Sequence, residues 1–428
     1  MLSRRTFLRL SSAGAALGAL RPLAAAAAPQ GRPMPPSIAG LSSMAGRARP
    51  ITDDERRGRI ENARRLMAEQ KIDALMLTGG TSMLYFSNMR WGLSERLFAL
   101  VIPVKGRSFV VTPKFEEDRS MEQIALGPLA GDADVMTWEE HESPYRLIAD
   151  GLKARGISSG RLGAEETVRF VFADSVAQAA PSLSVVSGTP VTAGCRMVKD
   201  AHELELMRLA SEVTLKAYAA AHQALQPGMT QDDFAGLVAM AHSRLGFQGG
   251  AGVQVGQYSA LPHGSITPQT IVEGSILLID GGCSVEGYAS DITRTTVLGT
   301  PSQRQRDVWD LEKRAQAAAF QTVKVGATCE SVDAAARQVI TAAGFGPDYR
   351  LPGTPHRTGH GIGLDGHEWT NFVRGNKTPI QPGMCFSDEP SIIIPNTFGI
   401  RLEDCLYVGA DGPHWFSTPS PAIDQPFA

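Results

Sequence analysis

Four carboxylates and one imidazole stand at positions suited to holding divalent cations. Asp280 closes the apolar run Ser275-Ile276-Leu277-Leu278-Ile279, and Asp291 opens the run Ile292-Thr293-Arg294-Thr295-Thr296-Val297. Gly281, Gly282 and Gly287 lie between them, a pattern that predicts a hairpin with the first strand ending at Asp280. Pairing of the two runs can bring both carboxylates to one face, which is unfavourable unless a cation sits between them. Further along, Glu389 follows Gly383 and an apolar run at the same spacing at which Asp280 follows Gly274, and Glu403 lies on the next strand. His360 is the fifth candidate, in His356-Arg357-Thr358-Gly359-His360-Gly361-Ile362-Gly363-Leu364-Asp365-Gly366-His367-Glu368. The four anions balance the charge of two divalent cations. The oxygen-rich set suits Mn or Co, with Zn also compatible. Arg401 lies two residues before Glu403, on the same strand face, where it can hold an acid by a charge-assisted bond. Asp388 points to the face opposite Glu389 and is excluded as a ligand, whereas Asp365 and Glu368 suit outer positions around the ligands.

These residues need two similar halves to position them. Gly228, Thr230, Gly246 and Phe247 match Gly326, Thr328, Gly344 and Phe345 at a constant offset of 98, and the strands that follow each copy strengthen this signal of a repeat. A helical pattern runs from Glu203 to Gln226, and Thr230 with Asp233 three residues on predicts the start of another helix. Before Ala193 the chain alternates helix and strand. Thr52-Asp53-Asp54-Glu55 starts a helix, and Ile72–Thr78, Leu97–Val104 and Ser108–Val111 read as strands, which makes a smaller α/β domain. Residues 29–50, rich in Pro, Gly, Ser and Arg without periodicity, read as a linker.

With these motifs in hand, the sequence resembles the creatinase/prolidase branch of the metallopeptidases with the pita-bread fold. An Asp-Gly-Gly strand, a Ser-Asp-Ile-Thr-Arg-Thr strand, a His-Gly-Ile-Gly segment, a Glu-Pro turn and an Arg-x-Glu-Asp strand occur in order. The resemblance implies an α+β fold: a creatinase N-terminal-like domain over 51–192, then a pita-bread domain with pseudo-two-fold repeat over 193–428. It assigns Asp280, Asp291, His360, Glu389 and Glu403 as ligands of two metal ions, with Asp291 and Glu403 bridging. It assigns His263, His356 and His367, with Glu389 and Arg401, to catalysis. It places Arg374 and Lys377 in the segment that would supply a cation for a substrate carboxylate, and Trp91 and Arg96 where relatives contribute pocket walls across a homodimer interface. Ser391 after Glu389-Pro390, and Thr370-Asn371 after Trp369, depart from the family pattern beside the ligands.

The expected activity is hydrolysis of Xaa-Pro bonds in proline-containing peptides by an Xaa-Pro aminopeptidase or dipeptidase. Two cations about 3.5 Å apart would acidify a bridging water and polarise the carbonyl, with His263 and His367 at the oxyanion and Glu389 shuttling the proton. Two alternatives are a hydrolase or lyase for a small non-peptide substrate, and a peptide-binding or chaperone module. Complete ligand positions argue against the second. With 41 basic and 44 acidic residues the net charge is −3, so no basic field attracts nucleic acid. Residues 1–28, with Arg4-Arg5-Thr6-Phe7-Leu8 before an Ala/Gly-rich core, resemble a twin-arginine signal peptide. That implies the twin-arginine machinery as partner and a periplasmic location in a Gram-negative cell. Its removal takes four arginines from 41, leaving 37 basic against 44 acidic residues and a net −7. Five cysteines without a C-x-x-C pair read as buried free thiols.

Overall fold

The computed structural model describes residues 34–427, so the paired-arginine segment over 1–28 lies outside the described residues. Thr52 starts helix α1 (Asp53–Gln70) through a reciprocal cap. Its hydroxyl accepts from the Glu55 amide, and its own amide donates to Glu55 Oε2 at 2.7 Å. The cap satisfies two of the helix's orphan N–H groups. The three apolar runs form the buried strands β1 (Ala74–Thr78), β2 (Ala99–Pro103) and β3 (Ser108–Pro113). With β4 (Ala133–Trp138), β5 (Gly160–Ala164) and β6 (Leu183–Ser187) they make one mixed sheet, ordered β4-β3-β2-β1-β5-β6. Strand β1 is antiparallel to β2 and parallel to β5. Apolar layers cover both faces, one around Leu75, Phe86 and Val110 and the other around Met76, Phe109 and Leu152. Contributing helices are α2 (Thr81–Ser87), α3 (Glu117–Ala125), α4 (Pro144–Lys153) and α5 (Phe170–Ala179), and α6 (Thr189–Arg196) leads out of the domain.

Helix α7 (Ala201–Gln223) begins two residues before the expected Glu203, because Asp200 is its cap and Glu203 the third residue of a capping box. Thr230 and Asp233 cap α8 (Gln231–Leu245) in the same way, as their spacing predicts. Then come β7 (Gly249–Val255), β8 (Ile276–Val285), β9 (Tyr288–Ala289) and β10 (Ile292–Val297), with β8 between β10 and β7. Strand β8 does not end at Asp280. Its glycines serve close approach rather than a turn: a Cβ on Gly282 would lie 1.9 Å from the Ser290 carbonyl oxygen, and one on Gly281 2.5 Å from that of Gly250.

The second half repeats two helices, α9 (Gln303–Thr322) and α10 (Cys329–Ala342), before its strands. These are β11 (Gly359–Gly361), β12 (Glu368–Phe372), β13 (Cys385–Asp388), β14 (Ser391–Ile394), β15 (Phe398–Arg401), β16 (Asp404–Gly409) and β17 (Gly412–Trp415). Strands β12-β11-β13-β16-β17 form the sheet. Thr328 starts α10 without the side-chain cap that Thr230 makes. The halves join where Thr293 and Glu403 exchange backbone hydrogen bonds of 3.2 and 3.1 Å. All five cysteines are free and buried, and no described helix is long and apolar enough to cross a membrane.

The described part of the supposed linker is packed structure. Residues 34–50 lie on α7 and α8: Ile38 is fully buried, Ser37 Oγ donates to the Ala220 carbonyl at 2.8 Å, and Arg47 pairs with Glu212. Leu41, Met44 and Ala48 pack partly against the same core as Ile38, but so few apolar residues among Pro, Gly, Ser and Arg do not mark the segment as packed by composition.

Candidate metal centre

The hairpin of β8 and β10 places Asp280 opposite Thr293, and the Thr293–Glu403 bridge brings the second half onto the same spot. Three overlapping groups result. Ligand atoms of Asp280, Asp291 and Glu403 lie within 4.8 Å of one another, and so do those of His360, Glu389 and Glu403; Asp291 also groups with His360 and His367. His360 is buried on β11 with Nδ1 3.1 Å from the Gly361 carbonyl. Its Nε2 faces Glu389 Oε1 at 3.2 Å, Asp291 Oδ2 at 3.9 Å and Glu403 Oε1 at 4.0 Å, and with Nδ1 donating to Gly361 this is the nitrogen that would give up its proton to a cation. Buried Arg401 pairs with Asp280 Oδ2 and donates from Nε to Thr293 Oγ1 at 3.1 Å.

Electrostatics show what the cluster lacks. Burial and Asp280 push Asp291 up to about 7, and burial and Asp291 push Glu403 well above the usual carboxylate range. Burial is the largest single influence on Glu389 and raises it, but the hydrogen bond and charge of His360, with the charges of His356 and Arg401, together outweigh it and hold Glu389 at about 2. Four acids this close do not all ionise at neutral pH without added positive charge. Five N and O donors in two sharing groups fit two divalent cations, which would supply that charge.

A cavity of about 310 Å³ opens beside the cluster between the two domains. Thr81 and Glu166 line it on one side, and Arg357, His367, Trp369 and Asn371 on the other. The His367 ring stacks on His360 with centroids 3.7 Å apart, joining the cavity to the acids. Partial burial and His360 bring His367 down to about 4, so it is neutral near pH 7.

The family models agree with this architecture. Residues 205–410 match metallopeptidase family M24 and residues 59–198 the creatinase/prolidase N-terminal domain. The probable dipeptidase PepE of Mycobacterium tuberculosis is 34% identical over 360 residues, covering 83% of this chain and 92% of that protein. The Xaa-Pro dipeptidase of Lactobacillus helveticus is 30% identical, covering 82% and 95%. The crystal structure of dipeptidase PepE from Mycobacterium ulcerans matches with a TM-score of 0.81 at 31% identity, covering 88% of this chain and 99% of that one. The chain belongs to metallopeptidase family M24. Its fold is the two-domain α+β arrangement with a pita-bread second domain, and family membership carries divalent-metal binding with it.

In this M24 chain the other expected residues fall into three groups. His356 joins the site from beneath: its Nε2 lies 3.0 Å from Ser391 Oγ, so the departure at Ser391 fixes an imidazole. Asn371 accepts from Arg357 Nη1 at 2.8 Å, so that departure orients a cation of the cavity. His263 is exposed on a loop whose Pro262 carbonyl accepts from Arg401 Nη1 at 3.3 Å.

Arg374 and Lys377 are not brought to the centre. They are exposed and paired with Asp348 and Glu330, and Arg374 lines a separate groove with Asp333 and Arg337. Trp91 stacks on Phe98 within the first domain, and Arg96 pairs with Glu140; neither lines the cavity. Two cations line the cavity, Arg196 and Arg357; spacing in the sequence assigns neither a role, and only Arg357 has no acid partner among the described residues. Thr293 was also missed. Its hydroxyl lies 2.8 Å from Asp280 Oδ1 and 2.6 Å from Glu403 Oε2, and its place on β10 two residues after Asp291 was the available signal.

Asp388 faces away from the centre, fully buried with neither carboxylate oxygen hydrogen-bonded, and Glu312 on α9 is in the same state. Burial pushes Glu312 well above its usual range. A carboxyl whose folded pKa is raised gives its full stability below the unfolded value of about 4.3, and that stability is lost as pH rises toward the folded pKa. Glu312→Gln should remove this loss, so that its stability falls less than that of the native chain between pH 5 and pH 8.5. Urea unfolding at the two pH values measures it. An equal loss in both proteins would show that Glu312 is not the source.

Proposed function

We propose that this chain is an Xaa-Pro dipeptidase working with two divalent cations, Mn in the first instance, held by Asp280, Asp291, His360, Glu389 and Glu403. Bound there, the ions supply Lewis acidity at the scissile carbonyl and an acidified water. Glu389 moves the proton toward the leaving nitrogen, since it borders both His360 and the Ser387 hydroxyl, 3.2 Å away. Neutral His367, whose proton affinity nearby His263 also lowers, donates to the oxyanion. His356, whose pKa burial lowers, holds its place through Ser391. A prolyl nitrogen has no N–H, so the pocket selects by shape.

One observation carries the choice of dipeptidase over aminopeptidase. Arg357 lines the cavity beside His367 with no carboxylate partner among the described residues, and a guanidinium held by Asn371 but unpaired with any acid suits the terminal carboxylate of a dipeptide. The names of relatives at 30–34% identity support the same reading. On Mn-loaded protein Ala-Pro should be cut at least about tenfold faster than Ala-Pro-Ala, and Arg357→Ala should raise KM for Ala-Pro by roughly 10- to 100-fold with a smaller effect on kcat. Equal or faster cleavage of the tripeptide would turn the assignment to an aminopeptidase. The Arg4-Arg5 segment supports export to the periplasm. Cell fractionation of the native chain and of an Arg4→Lys, Arg5→Lys variant tests that part.

A further inference from the structure

We propose that Arg196, at the end of α6 in the connector between the domains, is a positioning residue for His367, and that through it the N-terminal domain takes part in catalysis. The inference rests on the role given to His367 above. That imidazole is weakly held by its own contacts. It is exposed, and it lies in a stretch from Gly363 to His367 outside any strand or helix. Its ring touches His360, and Arg357 Nη2 approaches Nδ1 only to 3.5 Å. Gly366 precedes it in open space, where a Cβ would meet nothing within 4 Å. Backbone freedom is therefore high immediately beside a group that must hold a fixed direction.

The residues flanking His367 are, by contrast, gripped from outside. Arg196 Nη2 bonds Asp365 Oδ2 at 2.6 Å and also pairs with Glu368, while Lys199 Nζ takes the other Glu368 oxygen at 2.9 Å. The Arg196, Lys199 and Glu368 side chains are 9%, 1% and 3% exposed. Thr81 Oγ1, at the start of α2, donates to Asp365 Oδ1 at 2.5 Å, and Arg196 Nη1 lies 3.4 Å from Ser82 Oγ. Buried ion pairs stabilise little against apolar substitutes, but they specify geometry. Here the specified geometry is that of a four-residue turn with His367 inside it. A network anchored on α2 and the connector thus fixes, from both sides, an imidazole that its own contacts hold weakly.

The test uses the full-length, Mn-loaded chain with Ala-Pro, reading kcat, KM, bound metal and melting temperature for Arg196→Met, Arg196→Lys, His367→Ala and the Arg196→Met/His367→Ala double variant. Arg196→Met should lower kcat by about 10- to 100-fold with KM within about twofold and two ions still bound, and should have no further effect in the His367→Ala background. Arg196→Lys should recover most of the rate. Asp365→Asn, at a side chain 45% exposed and so tolerant of change, should show the same non-additivity with a drop of about threefold or more. Equal losses from Arg196→Met with and without His367, or a lower melting temperature with kcat unchanged, would overturn the proposal. A His367→Ala variant that keeps native activity while binding two ions would instead overturn the role given to His367, and the positioning inference with it.

Discussion

Glu403→Gln should abolish measurable hydrolysis of Ala-Pro and reduce bound divalent metal to less than one ion per chain. Glu403 belongs to both ligand groups, the one with Asp280 and Asp291 and the one with His360 and Glu389. Replacing it with a neutral amide removes a shared donor and one of four charges that balance two cations, so a loss of about 10³-fold or more in kcat/KM is expected. The same variant should behave oppositely in chelator. Glu403 is almost wholly buried, and burial and Asp291 disfavour its charge, so the metal-free variant should melt higher than the metal-free native chain. Adding Mn should then raise the native melting temperature far more than that of the variant, because only binding to the folded state contributes. Metal analysis and paired melting curves with EDTA and Mn check both halves. A variant that retains two ions and activity within about tenfold of native would remove Glu403 from the centre.

The candidate centre was legible because its signals are local. A ligand at a strand end, glycines where backbones must approach, and a repeat of helices before strands each lie within a short window. The same locality misled at Asp280, where Gly281 and Gly282 look like a turn yet continue β8 because Ser290 and Gly250 press against them. What the sequence withheld is what forms through space. Arg357 and Arg374 are both arginines near the His360 segment, and only packing puts the first in the cavity and the second against Asp348. Arg196 meets Glu368 across 172 positions, a distance over which no periodicity speaks. Residues 34–50 pack Ile38, Leu41, Met44 and Ala48 onto a core built by a helix that starts more than 150 residues later, and nothing in their composition marks it.

Arg294→Met should destabilise the second domain by about 3–5 kcal/mol, the cost of leaving a buried partner charge uncompensated. Alternation along β10 sends Thr293 toward the acids and Arg294 to the other face. There Arg294 is fully buried, with Nη2 2.7 Å from Asp404 Oδ1 and 3.0 Å from the Thr418 carbonyl, and Nη1 3.0 Å from the Glu403 carbonyl. Methionine fills similar volume but leaves Asp404 with only Ser417 Oγ at 2.7 Å and Gln316 Nε2 at 3.2 Å. Adding Asp404→Leu removes the stranded charge, and the double variant should return to within about 2 kcal/mol of native. Urea unfolding of the single and double variants measures the difference; a single-variant cost below about 1 kcal/mol would show that the pair is not holding the halves together. Asp291→Asn, just before the same strand, should do the reverse, losing metal while keeping the metal-free fold. The segment from Asp291 to Arg294 would then divide its labour by face, with ion binding on one side and the joint between the two halves on the other.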